Sequence, residues 1–131
     1  MKILVIGKNG QLGKSIKKVL ANSVQHNEYI FVGREGLDLT KKSIINDYFK
    51  NNSFDLIINC AAYTKVDKAE EEVLSANQIN NLAVAQLSVI AKKQNSKLIH
   101  ISTDYVFDGK NIKKYRENDQ VNPINIYGKT K

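Results

Sequence analysis

The strongest constraint on this 131-residue chain is a repeated change of hydrophobic period along it. Lys2 to Ile6 contains the continuous apolar run Ile3–Ile6, the pattern of a strand covered on both faces, and it stops at Gly7. From Leu12 the apolar positions recur at helical spacing through Ile16, Val19 and Leu20. The alternation then returns. Tyr29 to Val32 reads as a second strand, and a polar stretch led by Thr40 opens a short helix with Ile44, Ile45, Tyr48 and Phe49 on its apolar face. Phe54 to Asn59 reads as a third strand. Asp67 and Glu70 have the spacing of an N-terminal capping arrangement before a long helix carrying Val73, Leu74, Ile79, Leu82, Ala83, Leu87 and Ile90. Lys97 to Ser102 closes the series as a fourth strand. Strands alternating with helices need right-handed crossovers, which predicts an α/β fold: a doubly wound parallel sheet with helices on both faces.

Composition narrows the function classes. The chain is 42% hydrophobic and 25% charged, ordinary for a globular domain, and no repeat or low-complexity segment interrupts it. Ile3–Ile6 is far too short for a signal peptide core or a membrane span, so the expected compartment is the cytoplasm and no membrane partner is expected. Cys60 is the single cysteine, which permits no internal disulfide and leaves too few soft ligands for a structural zinc; no metal is expected. The net charge of +7 comes from lysines such as Lys14, Lys17, Lys18, Lys41, Lys42, Lys92 and Lys93, spread along the chain without aromatic interleaving. That is the pattern of solvated faces rather than of a nucleic-acid site. A basic surface does suit polyanions such as dinucleotides and nucleotide sugars.

The first turn carries a motif. Gly7, Gly10 and Gly13, in GKNGQLG, follow the first strand and open the first helix, where backbone approaches a pyrophosphate and amides point at the anion. Glycines also serve ordinary tight turns, but a strand before and a helix after are the context the phosphate site needs. The G-x-x-G-x-x-G spacing differs from the G-x-G-x-x-G dehydrogenase fingerprint. At the end of the second strand, where an NAD site usually offers an acid to the adenosine ribose, stand Gly33 and Arg34. A guanidinium suits a 2′-phosphate, which favours NADPH slightly over NADH, while Glu35 argues the other way. A surface arginine in a loop is the competing reading.

Two more loops follow strands, NCAAYT (Asn59–Thr64) and STDYVFDG (Ser102–Gly109), at the carboxyl ends where open parallel sheets bind ligands. Small Ala61 and Ala62 allow a flat cofactor against the backbone, and the Thr103 hydroxyl can reach a reacting carbonyl oxygen. Each loop alone would pass as a capped turn. Near the end, Tyr127 and Lys131 stand four apart, on one face of a helix.

Together GKNGQLG, NCAAYTKVDKAE, ISTDYVFDGK and PINIYGKTK resemble the extended short-chain dehydrogenase/reductase superfamily, most closely its dTDP-4-dehydrorhamnose reductase branch. The resemblance covers residues 1–131 as one Rossmann-like NAD(P)-binding domain. Family members are about twice as long, so the chain resembles their front part, truncated before the C-terminal strands and substrate domain. By that resemblance NADPH or NADH reduces the 4-keto group of dTDP-4-dehydro-6-deoxy-L-mannose to dTDP-L-rhamnose. It implies that Gly7, Gly10, Gln11, Leu12, Gly13, Arg34, Asp38, Leu39, Ala61, Ala62, Tyr63, Tyr127 and Lys131 bind the cofactor. It further implies Thr103, Tyr127 and Lys131 as the catalytic set, with Thr103 and Asp104 on the dTDP-sugar. A homodimer is compatible with the full-length family pattern. Another nucleotide-sugar epimerase or dehydratase, or a regulatory module that only binds cofactor, are the alternatives; an intact Thr103, Tyr127 and Lys131 speaks against the last.

Four further expectations concern structure. His100 reads as a satisfied core histidine, and Asn80 matches a polar position on the family's long helix that a solvent-facing asparagine explains equally well. The last nine residues should fray for want of packing partners, leaving the fragment inactive on its own. The fourth strand should expose an apolar edge.

Overall fold

The sheet is built around β1 (Lys2–Ile6), whose Leu4 and Val5 are wholly enclosed. It pairs in parallel with β2 (Glu28–Val32) on one side and β3 (Leu56–Asn59) on the other, and β4 (Lys97–His100) adds beyond β3. The order is β2-β1-β3-β4, and it appears in a computed structural model that describes residues 1–22, 24, 26–110 and 114–131. The uninterrupted apolar run of β1 thus occupies an interior strand with neighbours on both sides, as a strand buried on both faces must.

Helix α1 (Gln11–Ala21) links β1 to β2, α2 (Lys42–Lys50) links β2 to β3, and α3 (Val73–Asn77) with α4 (Ala83–Gln94) lies between β3 and β4. Ile45 and Phe49 of α2 and Ala83, Leu87 and Ala91 of α4 pack with Leu4, Ile6 and Ile57, so these two helices share one face of the sheet. The connection through α1 runs across the sheet in the opposite direction, and right-handed crossovers put it on the other face. The fold is the expected Rossmann-like α/β sheet.

The boundaries differ from the sequence reading for local reasons. β3 begins at Leu56: Phe54 leaves the strand to stack edge-on against Phe49 in the core, and the Asp55 carboxylate accepts the Lys2 amide at 2.6 Å. β4 ends at His100, because Thr103 caps a short 3₁₀ turn over Asp104–Val106. Asp67–Glu70 is not a capping box; it folds as a 3₁₀ turn with no side-chain cap, and the Glu70 carboxylate accepts the Ile126 amide at 2.8 Å. The long helix is interrupted by a π-helical turn at Gln78–Leu82. That wider turn resets the helix face, leaving Leu74 86% exposed while Asn80 is turned inward at 2%.

Helix α5 (Ile126–Thr130) is docked, contrary to the expectation that it frays for want of partners. Asn125 caps it by accepting the Gly128 amide at 2.7 Å, the Tyr127 ring meets Tyr105 edge-on at 5.6 Å, and Gly128 packs so closely on the Tyr105 carbonyl that a Cβ would overlap it. Its partners are all supplied by earlier parts of this chain. Along β4 the outer positions are open, with Ile99 47% and Ile101 44% exposed.

Candidate active site

After β1 the chain steps outward to β2, then returns past β1 to β3, so the loops following β1 and β3 part over a crevice. This is the position where open α/β sheets take their ligands. A cleft of about 840 Å³ lies there. Gly7, Gly10, Gln11 and Leu12 form one wall; Gly33, Arg34, Asp38 and Leu39 form the end beyond β2; Ala61, Ala62, Tyr127 and Lys131 form the opposite end.

The three glycines do different work. Gly7 sits at φ +89°, a conformation L side chains rarely adopt, and a Cβ on it would come 2.8 Å from the Ala61 amide nitrogen. A Cβ on Gly13 would overlap the Gly7 carbonyl, so that glycine seats α1 under the turn. Gly10 has only ordinary contact, 3.4 Å to the Gly7 carbonyl, and lines the cleft. It also precedes the first turn of α1, whose amides have no intrahelical acceptors and present a partial positive charge. A turn whose glycines leave backbone bare at an 11-residue helix start fits a pyrophosphate.

Beyond β2, Asp38 accepts the Thr40 amide at 3.0 Å and the Thr40 hydroxyl at 2.7 Å, and Arg34 Nε lies 3.4 Å from the same carboxylate. Burial pushes the Asp38 carboxyl up, but the Thr40 bonds and the guanidinium outweigh it and hold it below the usual range. Glu35 is turned to Lys8, whose ammonium bonds its carboxylate and draws it down. Arg34 lines the cleft with its side chain 76% exposed.

At the other end Lys131 Nζ donates to the Ile101 carbonyl at 2.6 Å, and burial lowers the lysine below its ordinary value. Tyr127 is buried beside it in the cleft wall. Four of the proposed site residues do not line the cleft. Gly13 lies beneath the turn. Tyr63 sends its hydroxyl to Glu72 at 2.8 Å, and burial together with that carboxylate pushes it up to about 12. The Thr103 hydroxyl donates to Asp104 at 3.2 Å and accepts the Tyr105 amide at 3.3 Å, so both residues are engaged in the local turn. That turn still packs on α5 through Tyr105.

Asn80, left open by the sequence between a family position and a solvent-facing one, is buried. Its Oδ1 accepts the Tyr63 amide at 2.9 Å, and its Nδ2 donates to the Tyr63 carbonyl at 3.0 Å and the Thr130 hydroxyl at 3.2 Å. Thr130 in turn donates to the Tyr127 carbonyl at 2.8 Å. One side-chain amide therefore ties the loop after β3 to the helix that carries Tyr127. The signal was present: Asn80, Ala83, Leu87 and Ala91 fall on one helical stripe, and the other three are core. Asn59, buried at the end of β3, and Ser102 also line the cleft without having been singled out as binding residues.

Known proteins place the arrangement. The family model described as RmlD substrate binding domain matches residues 1–131. The chain is 41% identical over 130 residues to a dTDP-4-dehydrorhamnose reductase of Aggregatibacter actinomycetemcomitans, covering 99% of this chain and 44% of that protein. It is 37% identical over 140 residues to the Escherichia coli dTDP-4-dehydrorhamnose reductase, again covering 44% of it. A solved dTDP-4-dehydrorhamnose reductase from Clostridium acetobutylicum superposes with a TM-score of 0.93 at 42% identity, over 99% of this chain and 46% of that one. A Bacillus anthracis dTDP-4-dehydrorhamnose reductase, solved in complex with NADP, gives 0.89 at 35% identity over 98% of this chain and 45% of that one. The chain spans less than half the length of these relatives, and it belongs to the RmlD substrate binding domain family.

Proposed function

We propose that residues 1–131 form the NAD(P)-binding domain of a dTDP-4-dehydrorhamnose reductase, which reduces the 4-keto group of dTDP-4-dehydro-6-deoxy-L-mannose to dTDP-L-rhamnose. One observation carries this reading: the glycine turn, Tyr127 and Lys131 line a single cleft at the switch point of the sheet. Relatives named for this reaction, and the one solved with NADP, support it. When bound, the dinucleotide supplies a hydride to the keto carbon.

The chain's residues supply the rest. Tyr127 donates its phenolic proton to the keto oxygen, so hydride and proton together give the alcohol. Lys131, one helical turn away, favours the resulting phenolate by its charge, and on binding exchanges the Ile101 carbonyl for the nicotinamide ribose. The Thr103 hydroxyl exchanges Asp104 for the substrate carbonyl, leaving the Asp104 carboxylate beside the sugar. Arg34 meets the 2′-phosphate, with Asp38 and Leu39 along the adenosine.

The test is NADPH oxidation by the protein given the dTDP-keto-sugar. Tyr127→Phe is expected to lose about 100-fold or more in kcat, the usual worth of a general acid, while still binding NADPH. Turnover of that variant at the wild-type rate overturns the assignment of Tyr127. Inversion of a sugar without net NADPH consumption would replace the reductase by an epimerase.

A further inference from the structure

β3 and β4 pair Asn59 with His100, so the two side chains lie side by side on one face of the sheet. Asn59 is 1% exposed, and its Oδ1 accepts the Ala61 amide at 3.1 Å. That bond settles which way the side-chain amide faces: Nδ2, a donor only, points at His100 Nδ1 across 3.2 Å. With Nδ2 as the donor, the contact requires the neutral tautomer, Nδ1 accepting and the proton on Nε2. Nε2 is buried with no hydrogen-bond partner among the described residues, so the contact with Asn59 is the polar anchor of this imidazole. His100 is not the satisfied core histidine of the sequence reading.

The line continues to the cleft. The Ala61 amide held by Asn59 is the atom nearest to the missing Cβ of Gly7, and Asn59, Ala61 and Gly7 all line the cleft. From this geometry we infer that His100 is a positioning residue for cofactor binding: its neutral ring holds Asn59, Asn59 holds Ala61 against the glycine turn, and protonation of the ring releases that wall. This rests on the dinucleotide-site reading above. A doubly protonated ring is a donor at both nitrogens, so Nδ1–H would oppose Asn59 Nδ2–H and turn instead to the Asn59 backbone carbonyl.

The surroundings favour the neutral form. Burial, then the charge of Lys131 on α5, lower the histidine below its ordinary value, and the Asn59 carbonyl recovers only part. β3 contributes Asn59 with Cys60 next to it, and the thiol is pushed up by burial. Helix α4 presents Ala83, Leu87 and Ala91 inward, with Lys92 and Lys93 exposed at its far end. Protonation therefore requires a more acidic solution than an ordinary histidine does.

The experiment is NADPH binding by fluorescence between pH 8 and pH 5, for the wild type, His100→Gln and His100→Leu. The 2′-phosphate of the ligand itself titrates near 6, so the comparison is between proteins with the same ligand. Glutamine keeps an acceptor for Asn59 and cannot titrate. The wild type is expected to lose about fivefold more affinity than His100→Gln across this range, the worth of one net hydrogen bond. His100→Leu, with no acceptor, should bind more weakly than the wild type already at pH 8. Identical pH profiles for wild type and His100→Gln overturn the inference. Should the variants not fold, the Ala61 amide resonance of the wild type is expected to follow the titration of His100, and an amide shift flat through that titration overturns it equally. No NADPH binding by the wild type at any pH defeats the dinucleotide reading instead.

Discussion

Arg34 is paired with Asp38 but remains largely in solvent, and Thr40 donates both its amide and its hydroxyl to the same Asp38 oxygen, Oδ1. The exposed guanidinium can turn to a phosphate with two of its donors. Arg34→Ala is therefore expected to weaken NADPH binding beyond NADH binding by about 1–3 kcal/mol, the worth of a charge-assisted contact. Calorimetric titration with both cofactors checks it, and equal losses would remove Arg34 from the 2′-phosphate. Residue identity alone conveyed this much, because Arg34 stands at the end of a strand whose limits were plain. It conveyed nothing of Glu35, which seemed to compete with Arg34; the Lys8 contact that occupies it joins two loops whose proximity no spacing reveals.

Elements were legible where one short-range pattern decided them. β1, β2 and the helices after them follow from apolar runs and helical stripes, and their limits agree with the sequence reading to within a residue or two. Asp67 and Glu70 misled because a capping signature says nothing of what lies above it; here the Ile126 amide takes the glutamate. Asn80 stayed undecided for a similar reason, since its partners lie 17 and 50 residues away. Asn80→Ala should strand the buried amide and carbonyl of Tyr63 and loosen α5. Each orphaned group costs about 1–3 kcal/mol, so a loss of about 2–6 kcal/mol is expected. Urea unfolding measures it, and a change below about 0.5 kcal/mol, the range of inert surface substitutions, would show the network to be dispensable. Amide exchange in Ile126–Thr130 should quicken in the same variant.

At the scale of the whole molecule, β4 is an edge of the sheet. Ile99 and Ile101 stand open beside a strand with one neighbour, and Val121 and Ile124 add exposed apolar surface. Edges of this kind recruit further strands, including those of another copy. The 131-residue chain is expected to self-associate, and Ile99→Lys to reduce that association at unchanged stability. Sedimentation velocity decides: a wild type that stays monomeric at high concentration sinks the prediction.

The parallel pairing has a consequence for how the chain is made. β1 emerges first, yet Glu28 and its neighbours must follow before one side is covered, and Asp55, 53 residues after Lys2, before the other is. At the 5–20 residues per second of synthesis, the most apolar strand waits roughly 3–10 s for its second partner. Until then Ile3–Ile6 is a bare hydrophobic segment, four residues long and stopped at Gly7. Its brevity, fitting for a sheet strand, also keeps that interval short of the length at which such segments commonly nucleate aggregates.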